Sequence, residues 1–149
     1  MSEVKDYKKF REKVIQLPWD RCDRIENVMV LGMPDVNCCI HGNEFWIEIK
    51  SPKEPKRKTT KLFGSNHKLS QDQQNWFLRQ ANANGLGFVL ICTNKRWMLI
   101  DGCKHADKIN DLTVDELIAI SLYNFELGER MTVPMYCAED MREIFLRAN

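Results

Sequence analysis

The chain has 149 residues and a formal net charge of +1, because 22 lysine and arginine residues nearly balance 21 acidic residues. This length is ordinary for one folded domain, so we expect residues 1–149 to form a single domain without disulfide bonds or a structural metal. Because the net charge is balanced, it gives no reason to expect a polyanionic partner. The sequence lacks an apolar run of roughly 20 residues, which predicts a soluble, cytoplasmic protein without a membrane span.

The first half of the chain predicts a helix, a strand and a hairpin. Apolar residues recur every three or four positions over residues 6–17, which predicts an amphipathic helix that ends at Pro18. Residues 24–31 contain many β-branched side chains and no helix stop signal, which favours a strand. Two short runs, 36–40 and 44–50, are typical of a β-hairpin.

The second half predicts a long loop followed by helices and strands. Residues 52–68 lack a hydrophobic period and predict a mobile loop. Ser70 is expected to cap a helix that ends near Asn84, because Gly85 follows. The remaining predicted elements are strands at 87–93 and 96–101 and helices at 112–125 and 138–147. The expected fold class is α/β, with a central mixed sheet of four or five strands flanked by helices.

The second strand of the predicted hairpin has one apolar face and one face that carries Glu48 and Lys50, since side chains alternate along a strand. With a turn at residues 42–43, antiparallel pairing would set Asp35 opposite Lys50 and Asn37 opposite Glu48. Cross-strand partners lie roughly 5 Å apart and diagonal ones roughly 7–8 Å apart. We therefore expect Asp35 and Glu48 to share one cation at an edge of the sheet.

Two carboxylates and a lysine supply the chemistry that phosphodiester hydrolysis needs. Asp35 and Glu48 would bind Mg²⁺, with the main-chain carbonyl of Ile49 as a third ligand, because hard cations prefer oxygen; Mn²⁺ would substitute. Lys50 would orient or deprotonate the attacking water and offset the phosphate charge. The sequence predicts metal-dependent hydrolysis of a phosphodiester with water as the nucleophile.

Two short motifs resemble those of a known family. Residues 32–36, Gly-Met-Pro-Asp-Val, followed by Glu48-Ile49-Lys50, resemble the PD-(D/E)XK motif of the restriction-endonuclease-like superfamily. Residues 69–73, Leu-Ser-Gln-Asp-Gln, with Trp76 three positions later, resemble the glutamine helix of its virus-type replication-repair nuclease branch (VRR-NUC). The similarity covers residues 24–101 in the order strand, hairpin, helix, strand.

The resemblance implies a restriction-endonuclease-like core and a DNA endonuclease activity, on single-stranded, flapped, branched or duplex DNA. It places Gln73 near the metal and implies a further acid upstream, for which Glu26 is the first choice and Glu12 the second. Many small members pair as homodimers, for which the helix at 112–125 is a candidate interface. The compact chain resembles stand-alone phage or bacterial members, so the host cytoplasm is the expected location for a phage protein.

A basic segment links the hairpin to the glutamine helix, with Glu54 as its one acid. By default such a run is a solvated surface loop. Beside a phosphodiester site we expect it to contact the nucleic-acid backbone without reading sequence. Its cationic residues are Lys53, Lys56, Arg57, Lys58, Lys61 and Lys68.

Three rival interpretations remain at this stage. One is a catalytically inactive nucleic-acid-binding protein on the same fold, and another is a structural protein in which these charges form a surface ion-pair network. The third is a zinc site, which the spacings do not favour, because adjacent cysteines on a strand point to opposite faces. The residues considered for zinc are Cys38, Cys39, His41, Cys103 and His105.

Overall fold

The computed structural model describes residues 2–25, 29–64 and 67–148. These residues form six strands, five α-helices and two short 3₁₀ turns. The strands are β1 (Arg21–Arg24), β2 (Val36–Ile40), β3 (Asn43–Lys50), β4 (Gly87–Cys92), β5 (Arg96–Asp101) and β6 (Tyr123–Glu126). The helices are α1 (Glu3–Lys13), α2 (Gln71–Asn82), α3 (Gly102–His105), α4 (Val114–Ile120) and α5 (Met135–Arg147).

One mixed sheet holds the strands in the order β1-β2-β3-β4-β5-β6. Strands β3 and β4 are parallel, whereas the other neighbouring pairs are antiparallel. Helix α2 lies in the crossover between the two parallel strands, as a parallel connection requires. The α/β class, the mixed sheet with flanking helices and the order strand, hairpin, helix, strand are therefore confirmed, with six strands instead of four or five.

Each face of the sheet carries its own apolar core. One core joins α1 and α5 to side chains such as Phe45, Ile47 and Ile49. The other joins α2, α3 and α4 to side chains such as Val89 and Ile91. Strand β4 contributes to both cores and is buried throughout, as a strand covered on two faces must be. Among the described residues, no helix is both long enough and apolar enough to cross a membrane.

The hairpin forms as predicted, but its register differs by two residues. The turn lies at His41 and Gly42, whose φ values of 50° and 78° give the left-handed backbone that a two-residue hairpin turn needs. Ile40 therefore pairs with Asn43, and Val36 pairs with Ile47. The expected pairs Asp35 with Lys50 and Asn37 with Glu48 were wrong. A shift of two residues keeps every side chain on its face, so the chemical face survived this error.

Two predicted elements were wrong in extent. The strand expected at 24–31 is β1, which ends at Arg24, and residues 29–32 form a bend and a turn. The helix expected at 112–125 ends at Ile120, and the chain then enters β6. Tyr123 and Phe125 both pack against the first core, because alternate residues of a strand share a face. Leu122 and Phe125 are three residues apart, a spacing that also fits a helical period, so periodicity alone does not separate the two structures.

The basic segment is tied to the fold at several points. Leu62 and Phe63 are buried in the second core. Main-chain N–H groups of Leu62 and Val114 donate to the carbonyls of Leu112 and Thr60, respectively. Near its start, Glu54 is buried and accepts a 2.7 Å hydrogen bond from Arg96 Nε. The acid within this segment is therefore neutralised by a partner on β5.

Glycine 32 holds the chain against α2. Its φ is +77°, and a Cβ added there would lie 2.1 Å from the carbonyl oxygen of Asp72. Gly42 has a similar φ of +78°, but nothing lies within 4 Å of an added Cβ. Gly64 has open space and no left-handed φ. Glycine is therefore required at position 32 by both backbone strain and a steric clash, at position 42 by backbone strain alone, and at position 64 by neither.

We expect alanine substitutions at these glycines to rank accordingly. Gly42→Ala should lower the free energy of unfolding by about 1–2 kcal/mol, because it places a Cβ on a left-handed residue. Gly32→Ala should cost more than that, since strain and clash act together. Gly64→Ala is the control and should be neutral or slightly stabilising. Urea unfolding measures all three, and a Gly32→Ala cost equal to or below that of Gly42→Ala would contradict the packing described here.

Candidate active site

Glu48 occupies an interior position of the sheet, on the face of β3 that α2 covers. Its residue is only 2% exposed, and Lys50, two residues along the same face, is 8% exposed. Strand β3 lies between β2 and β4, so the expectation of a site at one sheet edge was wrong. Both side chains lie at the carboxyl end of β3, beyond Ile47, which pairs with the first residue of the antiparallel strand β2.

Asp35 lies directly beside Glu48. Val36 pairs with Ile47, so the same antiparallel register sets the preceding Asp35 opposite Glu48. The main-chain N–H of Asp35 donates to Glu48 Oε2 at 3.3 Å. The two acids expected to share a cation are thus neighbours across the hairpin, one step closer than the diagonal arrangement that the sequence predicted.

Gln73 is held in place by the cap of α2. Ser70 Oγ accepts from the Gln73 main-chain N–H, and Gln73 Oε1 accepts from the Ser70 N–H at 2.9 Å. Because a main-chain N–H can only donate, the Gln73 oxygen must face it and the amide nitrogen must point away. That nitrogen donates to Glu48 Oε1 at 2.8 Å. The capping box therefore aims one amide at the buried carboxylate.

Lys50 supplies the positive charge nearest to this carboxylate. Its Nζ lies 3.7 Å from Glu48 Oε1. Both partners are buried, so water screens their attraction less than it would at a surface. The amine can balance one negative charge in the site and can hold or move a proton at its Nζ.

A third carboxylate comes from the opening helix. One oxygen each of Glu3, Asp35 and Glu48 lie within 4.8 Å of one another. Helix α1 is fixed near the end of β3 by a 2.6 Å hydrogen bond from Ser51 Oγ to Asp6 Oδ2. Glu3 precedes Asp6 by three residues and therefore lies on nearly the same face of the helix. The described residues thus contain three converging acids.

The upstream acid is where sequence reasoning fell short. Glu26, its first choice, lies outside the described residues. Glu12, its second choice, is exposed on α1 and nine residues from Glu3, or about 13 Å along the helix axis. The missed signal was the buried stripe of α1, because Asp6 and Phe10 are buried and Glu3 continues their spacing toward the N-terminus. The predicted helix began at Asp6, so Glu3 was not considered.

Burial sets the charge state of Glu48. Desolvation is the largest cause, followed by the negative charge of Asp35 and a smaller effect of Glu3, and the pKa of its carboxyl is raised to about 8. Lys50 and the Asp35 N–H act in the opposite direction. Without a cation, Glu48 therefore holds a proton near neutral pH. A divalent cation would replace that proton.

The donor set fits a hard divalent cation. Three carboxylates offer oxygen and no sulfur or nitrogen, which is the chemistry that Mg²⁺ and Mn²⁺ prefer. Ile49 is buried between Glu48 and Lys50 on β3, and its carbonyl remains a predicted ligand. Within the described residues, no other group of three or more His, Cys, Asp or Glu side chains places its ligand atoms within 4.8 Å of one another. The residues considered for zinc are not brought together, and Cys38 Sγ instead lies 2.8 Å from Cys22 Sγ.

The basic segment joins the two elements that carry the site. It begins just after Lys50 on β3 and ends just before Ser70, the cap of α2. Lys61 makes a 3.8 Å ion pair with Asp111, both side chains being more than half exposed, and such a pair is weak in water. All six predicted phosphate-contacting residues are exposed: Lys53, Lys56, Arg57, Lys58, Lys61 and Lys68.

Comparisons with known proteins do not identify the family. No protein-family model matches the sequence, and no curated protein matches it. Among solved structures, the fold is similar to a Holliday junction resolvase from the archaeal hyperthermophile Archaeoglobus fulgidus, with a TM-score of 0.48 and 14% identity over 91% of this chain and 98% of that chain. Since a TM-score below 0.5 at this identity does not establish a common activity, function must be inferred from the residues of the chain.

The pKa of Glu48 predicts how stability depends on pH in the metal-free protein. The folded-state pKa of about 8 exceeds the ordinary value of 4.5, so the folded state binds more protons between these values. The free energy of unfolding should therefore fall as pH rises from about 5 to 8. Glu48→Gln should remove this part of the fall. Thermal melts in a chelator at several pH values measure it.

Burial also raises the pKa of Asp6, so Asp6 adds to the pH dependence of stability. Both proteins keep Asp6, and the difference between their pH profiles therefore reports the contribution of Glu48. An identical pH slope in the parent and in Glu48→Gln would contradict the raised pKa.

Proposed function

We propose that the chain is a metal-dependent nuclease that hydrolyses DNA phosphodiester bonds. The observation that carries this proposal is the convergence of Glu3, Asp35 and Glu48 within 4.8 Å, with the amine of Lys50 beside them. A surface ion-pair network would not require a carboxylate that is 2% exposed and costly to ionise. Such burial of an acid is tolerated when a cation compensates it, and perturbed acids of this kind cluster at catalytic sites.

Glu3, Asp35 and Glu48 would hold the cation, with the Ile49 carbonyl as a further oxygen ligand. Mg²⁺ is the expected ion and Mn²⁺ its substitute. When bound, such an ion lowers the pKa of a water molecule and neutralises charge on a phosphate. The protein contributes the fixed positions of the three acids: Glu48 through β3, Asp35 through the hairpin, and Glu3 through the Asp6–Ser51 contact.

Lys50 and Gln73 act on the proton and on the geometry. Lys50 Nζ would orient the attacking water, accept its proton and offset charge on the phosphate. Gln73 is a positioning residue, since its amide holds Glu48 Oε1 and is itself held by the cap at Ser70. This contact supports the finer assignment to the virus-type replication-repair branch, in which the glutamine lies near the metal.

The exposed basic segment would hold the DNA backbone. Its cations flank the carboxyl end of β3 and the start of α2, and its buried acid, Glu54, is neutralised by Arg96. Phosphate contacts of this kind give affinity that falls with rising salt and no sequence preference. Pairing into a homodimer remains a prediction of the family resemblance.

The catalytic assignment is tested by cleavage of labelled DNA with Mg²⁺. Lys50→Ala should lower the turnover rate by about 100-fold or more, the usual contribution of a positioned proton-transfer group. Asp35→Asn should abolish cleavage. Binding of DNA in Ca²⁺ should persist in both variants. Cleavage by Lys50→Ala at the parent rate would overturn the role of Lys50, whereas no cleavage by the parent on any DNA would favour the inactive binding protein.

The third acid is tested by two matched substitutions on α1. Glu3→Gln should raise the Mg²⁺ concentration for half-maximal activity by about 10-fold or more, since loss of a group that only supports a ligand already costs about that much. Glu12→Gln changes an exposed acid on the same helix and should leave the required Mg²⁺ concentration unchanged. Metal titration of the cleavage rate measures both. A larger effect from Glu12→Gln than from Glu3→Gln would overturn the assignment.

The basic segment is tested through salt dependence. Lys56→Ala with Lys58→Ala should lower the slope of log Kd against log salt by about two, one for each phosphate contact removed. The control, Lys8→Ala with Lys13→Ala, removes two exposed lysines of α1 and should not change the slope. Fluorescence anisotropy with labelled DNA in Ca²⁺ gives both slopes. Equal slopes for the two double variants would place the phosphate contacts elsewhere.

A further inference from the structure

Three consecutive apolar side chains project from the chain between β1 and β2. Met29 is 87% exposed, Val30 is 38% exposed and Leu31 is 69% exposed. We name these three residues the apolar tip. Single exposed apolar residues are common on proteins, whereas a contiguous group of them marks an interaction surface.

The base of the apolar tip is fixed against α2. Gly32 approaches the main chain of Asp72 so closely that an added Cβ would lie 2.1 Å from its carbonyl oxygen. Met33 packs against the second core, and Pro34 is buried. The base of the tip is thus fixed in position. Leu31 precedes Asp35 by four residues, so the Cα atoms of the two residues lie at most about 14 Å apart.

A groove separates the apolar tip from the exposed face of α2. It encloses about 540 Å³, which is room enough for an unstacked nucleobase. Its helix side carries Asp72, Asn75 and Arg79. These offer a carboxylate acceptor, an amide that donates and accepts, and a planar guanidinium. Gln73, next to Asp72, donates to Glu48, so the groove and the candidate active site share the first turn of α2.

This combination of chemistry matches a nucleobase better than a purely apolar partner. Leucine and methionine are among the side chains that proteins insert between base steps. A guanidinium plane stacks on bases, and amide and carboxylate groups pair with their edges. The groove also lies within a few base steps of the site where the phosphate would be cut, since the bases of one strand rise 3.4 Å each.

We propose that the apolar tip and the α2 groove bind unstacked DNA bases beside the scissile phosphate. This inference rests on the proposed function and assigns to Met29, Leu31 and Arg79 the base contacts that would favour DNA with a break in stacking over continuous duplex. Inserting Met29 and Leu31 into an intact duplex costs the stacking of a base step. At a branch point that stacking is weakened, so unstacking a base there costs less and the same contacts yield net binding.

The test compares three DNA substrates of one sequence: intact duplex, flapped duplex and a four-way branch. Each carries 2-aminopurine, a fluorescent base that brightens when it unstacks, next to the expected cut. Binding is read by 2-aminopurine fluorescence in Ca²⁺, and cleavage rates are read in Mg²⁺. The parent should brighten the flapped and branched DNA and cleave them faster than the duplex.

The test variant is Met29→Ala with Leu31→Ala, and its control is Met135→Ala with Tyr136→Ala, which removes two exposed apolar side chains at the start of α5. The test variant should lower the ratio of branched to duplex cleavage by about fivefold or more and should lose the fluorescence change. Its melting temperature and Mg²⁺ dependence should match those of the parent. The control should keep the ratio and the fluorescence.

Each other outcome decides between the inferences. An unchanged ratio and fluorescence in the test variant overturn the role of the apolar tip. Conversion of a dimer to a monomer in the test variant, with DNA discrimination intact, shows that the tip covers a second copy of the chain and also overturns it. A parent that brightens the probe but never cuts DNA keeps the tip inference and overturns the nuclease, whereas a parent that does neither overturns both.

Discussion

The burial of Glu48 is the constraint on which the candidate site depends. A carboxylate at 2% exposure has lost most of its hydration, and this loss is the largest cause of a pKa raised to about 8. Three donors partly compensate for that loss: the Gln73 amide, the Asp35 N–H and the Lys50 amine. The nearby charges of Asp35 and Glu3 oppose ionisation, so a divalent cation is the partner that would satisfy all three acids at once.

The sheet makes this convergence possible by the way in which its strands end. Strand β2 begins at Val36, one residue after Asp35 and opposite Ile47, while β3 continues past Ile47 to Lys50 beside the parallel strand β4. Helix α2 covers this face because it belongs to the crossover between β3 and β4. Helix α1 packs on the opposite face, and the contact between Asp6 and Ser51 brings Glu3 to the same end of β3. Elements from both faces of the sheet thus contribute to one site.

Two surfaces around the site differ in chemistry. The basic segment presents exposed cations, because Glu54 is buried against Arg96 and leaves them uncompensated within the segment. The apolar tip, on the other side of α2, presents Met29 and Leu31 next to Arg79. A charged surface suits phosphates and an apolar one suits bases, so the two surfaces divide the contacts that a DNA strand would make.

The sequence by itself determined the features that depend on local chemistry. The alternation in β3 put Glu48 and Lys50 on one face, and Ser70 and Gln73 predicted a cap that the structure contains. The structure corrected the register, since the left-handed residues His41 and Gly42 form the turn and set Ile40 opposite Asn43. It also decided the third acid, because Glu3 is distant in sequence from Asp35 and joins it only when α1 docks on β3. Periodicity reports which face of an element is apolar, whereas the position of one element relative to another depends on long-range packing that no local pattern encodes.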